Sequence, residues 1–261
     1  MKNLSFASLA YENKKKKTRR ERFLEEMDQV IPWMEITKII EPHYPKAGNG
    51  RQPFPLERML RIYFMQQWYG LSDPGMEDAL YDIESIRRFA GIDLVIDVIP
   101  DETTILNFRH LLEKYKLTQK LFEKTGQYLT EKGLLVREGT IVDATIINAP
   151  SSTKNKEKSR DPEMKQTKKG NQWYFGMKAH IGADTGKGLA HSIVVTDAGV
   201  HDSKVMDELL HGEEQAVYGD RAYTSEKRKS EYEARGIKWC VNRKGCRYCQ
   251  LSTEDKEYNH R

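Results

Sequence analysis

Two short segments that carry one aspartate each are the part of the sequence best suited to chemistry. Asp143 lies within Gly139–Asn148 (GTIVDATIIN), and Asp220 follows an apolar run in Ala216–Tyr223 (AVYGDRAY). The β-branched residues of the first segment predict a strand buried on both faces, where a carboxylate is costly unless something compensates it. Backbone donors, an Arg or Lys partner, or a metal ion could do so. Backbone donors are the simplest interpretation for one aspartate, but two such segments favour a shared metal site.

The chemistry of such a pair is that of a divalent cation. Two carboxylates in near contact repel each other unless a cation lies between them. Oxygen ligands without soft donors suit Mg²⁺ or Mn²⁺ better than zinc. Two such ions, about 3.5–4 Å apart, can activate a water or a 3′-hydroxyl for in-line phosphoryl displacement. The sequence therefore predicts Asp143 and Asp220 as catalytic metal ligands for Mg²⁺ or Mn²⁺, with a third carboxylate still to be found.

The elements around these segments fall into two groups. Apolar residues at helical spacing predict that residues 1–133 form a mostly helical N-terminal domain, with its clearest helix at Leu56–Tyr69. Short helices separated by tight turns are compatible with a helix-turn-helix arrangement and equally with a plain helical bundle. The pattern changes near Gly133, so that 134–261 is the predicted second domain.

The second domain has the pattern of strands with intervening helices. Strands are predicted at 139–148, 173–181, 189–196, 216–222 and 237–242, and helices at 201–210 and 225–234. This is the order of a ribonuclease-H-like domain, in which the first strand is central and the fourth lies beside it. The predicted fold class is therefore α/β, a ribonuclease-H-like mixed sheet flanked by helices. Such a sheet would bring Asp143 and Asp220 together.

Three groups of basic residues are candidates for contact with phosphate groups of DNA. Residues 149–172 contain seven Lys or Arg against three Asp or Glu and almost no apolar residues, which predicts a basic flexible loop beside Asp143. The first group is Lys14, Lys15, Lys16, Lys17, Arg19 and Arg20, the second is Lys168 and Lys169, and the third is Arg221 alone. The alternative for the first group is ordinary solvated charge, for the second a disordered insert, and for Arg221 an ion pair with an acid.

The composition narrows the class of protein. The 261 residues are 38% hydrophobic and 31% charged, with a net charge of +4. No apolar run approaches the roughly 20 residues needed to span a bilayer. The basic run Lys14–Lys17 follows an apolar patch instead of preceding it, which is the wrong order for a secretory signal. We therefore expect a soluble cytoplasmic protein that does not bind membranes.

Two smaller features have competing interpretations. Cys240, Cys246 and Cys249 are the only cysteines, and together with His260 they could form a zinc site. Free reduced thiols are the favoured interpretation. Asp202 invites a ligand interpretation, but we expect it to be the N-cap of the helix at 201–210.

Five segments together resemble a bacterial DDE transposase of the insertion-sequence-five group, within the broader family that contains insertion sequence four. Each segment is weakly specific alone, but their order is specific, and the likeness runs from about Arg51 to the last residue. The segments are PDETTILNFRH (100–110), VDAT (142–145), WYFGMKAH (173–180), TDAGVHD (196–202) and YGDRAY (218–223).

The resemblance implies an N-terminal DNA-binding region, a ribonuclease-H-like catalytic domain and a DDE metal triad with Asp143 and Asp220 as its first two acids. It also implies double-stranded DNA as partner, namely the element's terminal inverted repeats and the target. A homo-oligomer on DNA and a bacterial cytoplasm, at the nucleoid when DNA is bound, are expected as well.

One departure from the family concerns the third acid. In the family it is a glutamate on a helix a little beyond the point where this sequence stops. Glu254, Asp255 and Glu257 are predicted to lie in a polar loop, so we do not assign any of them as the third acid. The expectation is a C-terminally truncated transposase that binds DNA and cleaves it poorly. A non-catalytic DNA-binding remnant or regulator, and a stand-alone nuclease of the same fold, are the alternatives.

Overall fold

The computed structural model describes residues 11, 13–150, 160–245 and 250–260, and for His260 it describes the backbone alone. The chain divides into two compact units, Met1–Tyr128 and Leu129–Arg261. The division falls within a helix, a few residues before the boundary that the sequence predicts.

The first unit is built from helices whose ends follow from local sequence. Thr18 and Glu21 form a capping box at the start of α1, and Ser72 and Asp101 cap α4 and α6. Gly70 adopts the left-handed conformation (φ 60°) that ends α3. The helices are α1 (Arg19–Val30), α2 (Trp33–Ile40), α3 (Leu56–Tyr69), α4 (Asp73–Asp82), α5 (Glu84–Phe89), α6 (Glu102–Lys114) and α7 (Leu117–Glu131), with a 3₁₀ turn at Glu41–His43.

An aromatic cluster packs against the core of this unit. The Trp33 ring contacts Phe64 and Phe89 edge-on, at centroid distances of 5.5 and 5.8 Å. The guanidinium of Arg61 lies 4.4 Å from the Trp33 ring centroid and 5.0 Å from that of Phe89. Arg61 also pairs with Asp28 at 2.7 Å, so one cation joins aromatic rings to the surface charge of α1.

The second unit is a mixed sheet with helices. Its elements are β1 (Gly139–Asn148), β2 (Lys165–Lys169), β3 (Gln172–Asp184), β4 (Ala190–Asp197), β5 (Ala216–Gly219), α8 (Glu226–Ala234), β6 (Lys238–Val241) and α9 (Thr253–His260). Three 3₁₀ segments are Asp202–Lys204, Met206–Leu209 and Arg221–Tyr223. The strand order is β2-β3-β1-β5-β6, and β4 also pairs with β3. The mixed α/β fold with a mostly helical N-terminal region is confirmed.

The two faces of this sheet differ. Along β3, even-numbered residues from Gly176 to Asp184 are buried and the odd-numbered ones are partly exposed. Along β1, Val142 is buried, whereas Ile141, Asp143 and Thr145 are exposed. The prediction that β1 is buried on both faces is therefore wrong, because helix α8 and the 3₁₀ segments pack on one face only. We call the exposed side, which carries Asp143, the open face.

Three other local predictions differ from the structure. The predicted helix at 201–210 is two short 3₁₀ segments. Strand β2 lies within the predicted loop 149–172, because Lys165–Lys169 find hydrogen-bonding partners on β3 despite their charge. Glu254, Asp255 and Glu257 lie in α9 and not in a loop, since Ser252 bonds the backbone of Asp255 at its start.

Candidate active site

The pairing of β1 with β5 brings the two aspartates to adjacent positions. The strands are parallel and in register from Gly139↔Ala216 to Val142↔Gly219. Asp143 and Asp220 are each the next residue along, and neighbouring strands lie about 4.8 Å apart. Both side chains are exposed. The prediction that the first strand is central and that these two strands are neighbours is therefore confirmed.

Backbone donors hold one oxygen of each carboxylate. Asp143 Oδ1 accepts a hydrogen bond from the Ala144 N–H at 2.8 Å. Asp220 Oδ1 accepts from the Ala222 N–H at 2.8 Å and so caps the 3₁₀ turn Arg221–Tyr223. Neither bond uses the second oxygen, Oδ2. Each of these exposed carboxylates therefore has a backbone donor, as the simple interpretation predicts.

A buried tyrosine lies beneath the pair. Tyr223 is 1% exposed, and a Cβ on Gly219 would come within 3.3 Å of its ring. Its hydroxyl has no hydrogen-bond partner among the described residues. Burial raises the pKa of Tyr223, and the negative charges of Asp202, Asp143 and Asp220 raise it further. All three carboxylates therefore lie close enough to this hydroxyl to affect its pKa.

The third of these acids is already engaged. The buried Lys178 ammonium donates to Asp202 Oδ1 at 2.8 Å and to the Val200 carbonyl at 2.8 Å. His180 is fully buried, and its Nε2 lies 2.9 Å from Thr196 Oγ1. Burial lowers the pKa of His180, so the ring is neutral near neutral pH. The expectation that Asp202 is an N-cap is wrong, because the His201 side chain caps the turn instead.

Sequence reasoning missed the role of Lys178 and His180, because the apolar alternation from Trp173 to Ile181 predicts that the odd-numbered face of this strand is buried. That prediction is wrong: the even-numbered residues are buried, so Lys178 and His180 occupy core-facing positions. A lysine at such a position must be paired, because an unpaired buried charge is costly. Asp202 was the available acid nearby.

The donor set suits a hard cation but is not complete. Two exposed carboxylates match the ligand preference of Mg²⁺ or Mn²⁺. Within the described ranges, no group of three or more His, Cys, Asp or Glu side chains is arranged to hold a metal ion. The residues present therefore fit part of a metal site and leave its third protein ligand unsupplied.

The N-terminal basic candidates lie at the start of α1. Lys14 pairs with Glu21, and Lys17 Nζ lies 2.7 Å from Glu25 Oε1. The guanidinium of Arg20 lies 5.4 Å from the Tyr69 ring centroid. Lys15, Lys16 and Arg19 are exposed. Acids of α1 thus offset part of the positive charge, as in an ordinary solvated helix end.

The other basic candidates lie in the second unit. Lys168 and Lys169 are exposed on β2, and Arg221 is exposed next to Asp220. The lysines at 154, 156 and 158 lie outside the described residues. The same holds for Cys246, Cys249 and the side chain of His260. Cys240 is a half-buried free thiol.

Asp255 in α9 is also unavailable as a third acid. It pairs with Arg243, and that hydrogen bond is the main reason why the pKa of Asp255 is lowered. Tyr258 of the same helix donates to the Trp239 carbonyl at 3.0 Å and fixes α9 against β6.

Comparison with known families covers most of the chain. Residues 12–111 match the family described as Transposase domain (DUF772), and residues 135–260 match the family described as Transposase DDE domain. Two transposase domains in one chain support a DDE transposase family. No solved structure matches the chain. The resemblance inferred from the five sequence segments is confirmed at the level of this transposase family.

A DDE transposase family implies DNA as substrate and, in general, the use of a divalent metal. The acid pair lies within the matched DDE domain, and the Lys14–Arg20 run lies within the other matched domain. In the part of the chain that the structure describes, no helix is both long and apolar enough to cross a bilayer.

Proposed function

We propose that this chain is a DNA transposase of a bacterial insertion sequence of the insertion-sequence-five group. It binds the terminal inverted repeats of its element and acts by metal-dependent strand cleavage and transfer. The single observation that carries the proposal is the β1–β5 register, which places Asp143 beside Asp220 inside a matched transposase DDE domain. The strand order, with β1 between β3 and β5, supports a ribonuclease-H-like catalytic domain.

The proposed roles follow from the geometry of the acid pair. Asp143 and Asp220 hold Mg²⁺ or Mn²⁺ through the oxygens that the backbone does not use. When bound, the metal supplies an activated water or 3′-hydroxyl and stabilises the leaving oxygen. The Lys178–Asp202 pair keeps one nearby acid neutralised, so that it does not compete for the cation. Arg221, exposed beside Asp220, is suited to hold a DNA phosphate.

We further propose that strand cleavage by this chain is impaired. Among the described residues, the acid pair has no third carboxylate arranged with it. Loss of one ligand from a catalytic metal set costs orders of magnitude in rate. Efficient Mg²⁺-dependent cleavage of terminal repeats by the 261-residue chain would contradict this proposal.

Replacement of Asp143 by Asn tests the metal-site proposal. Mn²⁺ binding, measured by electron paramagnetic resonance, should be lost in Asp143→Asn and in Asp220→Asn. Any residual strand cleavage should be lost with it, while binding to terminal repeats should persist or rise slightly through lost repulsion with phosphate. Asp255→Asn is the matched control, because Asp255 is an acid of the same unit that is paired with Arg243. Collapse of DNA binding in Asp143→Asn would make that residue structural.

One observation favours a second candidate function. An acid pair without a third ligand suits a non-catalytic DNA-binding remnant that occupies the same repeats as a regulator. Repeat binding with no cleavage in either Mg²⁺ or Mn²⁺ would favour the regulator. Cleavage without joining of the cut ends to target DNA would instead indicate a stand-alone nuclease.

A further inference from the structure

The hairpin of β2 and β3 presents an exposed aromatic ring between cations. Lys168 and Trp173 are directly opposite in the strand register, so their side chains project to the same side. The Lys168 ammonium lies 5.8 Å from the Trp173 ring centroid. Trp173 is 65% exposed, although an indole is among the most costly side chains to leave in water.

The next aromatic residue on the same side repeats this arrangement. Phe175 is two positions along β3 from Trp173, and the exposed Arg160 has its guanidinium 4.7 Å from the Phe175 ring centroid. Single exposed apolar residues are common on proteins and need no explanation. Two aromatic rings in alternation with two exposed cations are the pattern of a surface on which nucleotides stack.

This basic aromatic surface belongs to the open face that carries the acid pair. Side chains alternate along a strand, and Trp173, Phe175 and Ile181 are all odd-numbered residues of β3. Ile181 is paired with Asp143 across the sheet, so both project from the same face. A single ligand that lies along the open face can therefore contact Asp143 and Trp173 together.

The separation of the two sites matches a dimension of duplex DNA. Ile181 lies eight positions along β3 from Trp173, which at about 3.3 Å per residue is about 26 Å. At about 3.4 Å per base pair, this distance spans about eight base pairs. A two-stranded β-ribbon is also of the size that a groove of DNA admits.

We infer that the β2–β3 hairpin is a second DNA-binding element, which enters a groove of the substrate duplex about eight base pairs from the bond held at Asp143 and Asp220. Lys168 and Arg160 contact phosphates, and the Trp173 ring packs against a base or sugar. The inference rests on the proposed function, because it takes the acid pair to be the site of DNA cleavage. It extends that function by naming the surface that holds the flanking duplex.

The opposite side of the same hairpin offers matched controls. Lys169 and Tyr174 neighbour Lys168 and Trp173 in sequence but project to the other face. On that face the Tyr174 hydroxyl donates a hydrogen bond to the Gln172 side chain at 3.0 Å. The inference therefore predicts a contrast between adjacent residues of the same type, and it assigns the phosphate contact that the sequence predicts for both lysines to Lys168 alone.

The test measures binding of the full chain to a fluorescein-labelled random-sequence duplex by anisotropy. Trp173→Ala should weaken binding about tenfold and Trp173→Phe much less, since an aromatic ring preserves stacking. Lys168→Ala should reduce the slope of log K against log salt by about one, as loss of one phosphate contact does. Tyr174→Ala and Lys169→Ala should change the affinity less than about twofold.

The outcomes separate this inference from the proposed function. Equal effects of the two faces, or wild-type affinity in Trp173→Ala, would overturn the hairpin inference and leave a DNA-binding transposase standing. Failure of the wild-type chain to bind any duplex would overturn both. Unchanged thermal unfolding of the four alanine variants, each at a surface position, shows that affinity changes do not come from misfolding.

Discussion

Individual residues around the acid pair differ in how well their polar atoms are satisfied. Each Asp of the pair has a backbone donor, and Lys178 has two oxygen acceptors. Among the described residues, the buried Tyr223 hydroxyl and the His180 Nδ1 have none. Buried polar atoms without a hydrogen bond lower the free energy of unfolding, and natural proteins contain few of them.

The first prediction at this scale concerns the Tyr223 hydroxyl. Tyr223→Phe removes a buried donor that makes no hydrogen bond and keeps the ring against Gly219. We expect the free energy of unfolding in urea to stay the same or to rise by up to about 1 kcal/mol. Tyr223→Ala empties the ring volume and should lower it by about 3–5 kcal/mol. A large loss in Tyr223→Phe would mean that the hydroxyl has a partner.

The second residue-scale prediction concerns pH. Burial lowers the pKa of both His180 and His191 below the ordinary 6.5. The unfolded chain therefore takes up protons at a higher pH than the folded chain does. The contribution of the two neutral histidines to stability is fully present above pH 6.5, the ordinary pKa of histidine. The free energy of unfolding falls as the pH drops below that value.

Urea unfolding across the range from about pH 7.5 to about pH 5.5 measures this effect. His180→Gln removes one of the two groups, so its stability should depend less steeply on pH than that of the wild-type chain. A curve parallel to that of the wild-type chain would show that His180 titrates equally in the folded and unfolded states.

At the scale of elements, the close approach of strands depends on particular glycines. A Cβ on Gly176 would collide with the carbonyl oxygen of Ile147 on β1, and one on Gly182 would lie 2.5 Å from the Leu209 carbonyl oxygen. Both glycines lie on the buried face of β3. Gly176 therefore allows β1 to pair closely with β3, and Gly182 allows the 3₁₀ segment Met206–Leu209 to pack closely on β3.

Substitution of glycine tests this dependence on strand approach. Gly176→Ala should lower the free energy of unfolding by about 3 kcal/mol or more, because either the strand or the ladder must shift. Gly126→Ala is the control, since a Cβ there meets no atom within 4 Å in the middle of α7. That change should raise stability by about 0.5–1 kcal/mol through helix propensity. Chemical denaturation of both variants measures the contrast.

At the scale of the whole molecule, the second unit leaves one face of its sheet exposed. Ile193 and Val195 on β4, and Tyr218 on β5, are each more than a third exposed on that face. On the other face, Val194 packs against the buried cluster of Val142, Met206 and their neighbours. Adjacent valines of one strand thus have different surroundings.

These two valines give a matched pair of variants. Val195→Thr, at 53% exposure, should change the free energy of unfolding by less than about 0.5 kcal/mol and should raise solubility. Val194→Thr places a hydroxyl against the apolar cluster and should cost about 1–3 kcal/mol. Equal costs at the two positions would show that the open face is covered in solution.

Much of this arrangement follows from local sequence. The helical spacing of Leu56–Tyr69 predicts that helix correctly, because it depends on neighbours in the chain. The apolar alternation from Trp173 to Ile181 predicts a strand correctly but assigns the wrong face to the core, because the structure buries the even-numbered residues of β3. The predicted order of strands also placed the strands of Asp143 and Asp220 side by side. The local pattern did not predict the strand Lys165–Lys169, because its charged residues are typical of a loop.

By itself, the sequence determined which residues could act, a pair of aspartates at the ends of apolar runs, and the type of cation that suits them. Only the tertiary structure decided which faces these residues share. Asp143 lies on the open face together with Trp173. Asp202 accepts a hydrogen bond from Lys178 and does not cap a helix. The physical reason is that strand register and burial depend on contacts between segments distant in sequence, and such contacts leave no mark in the spacing of nearby residues.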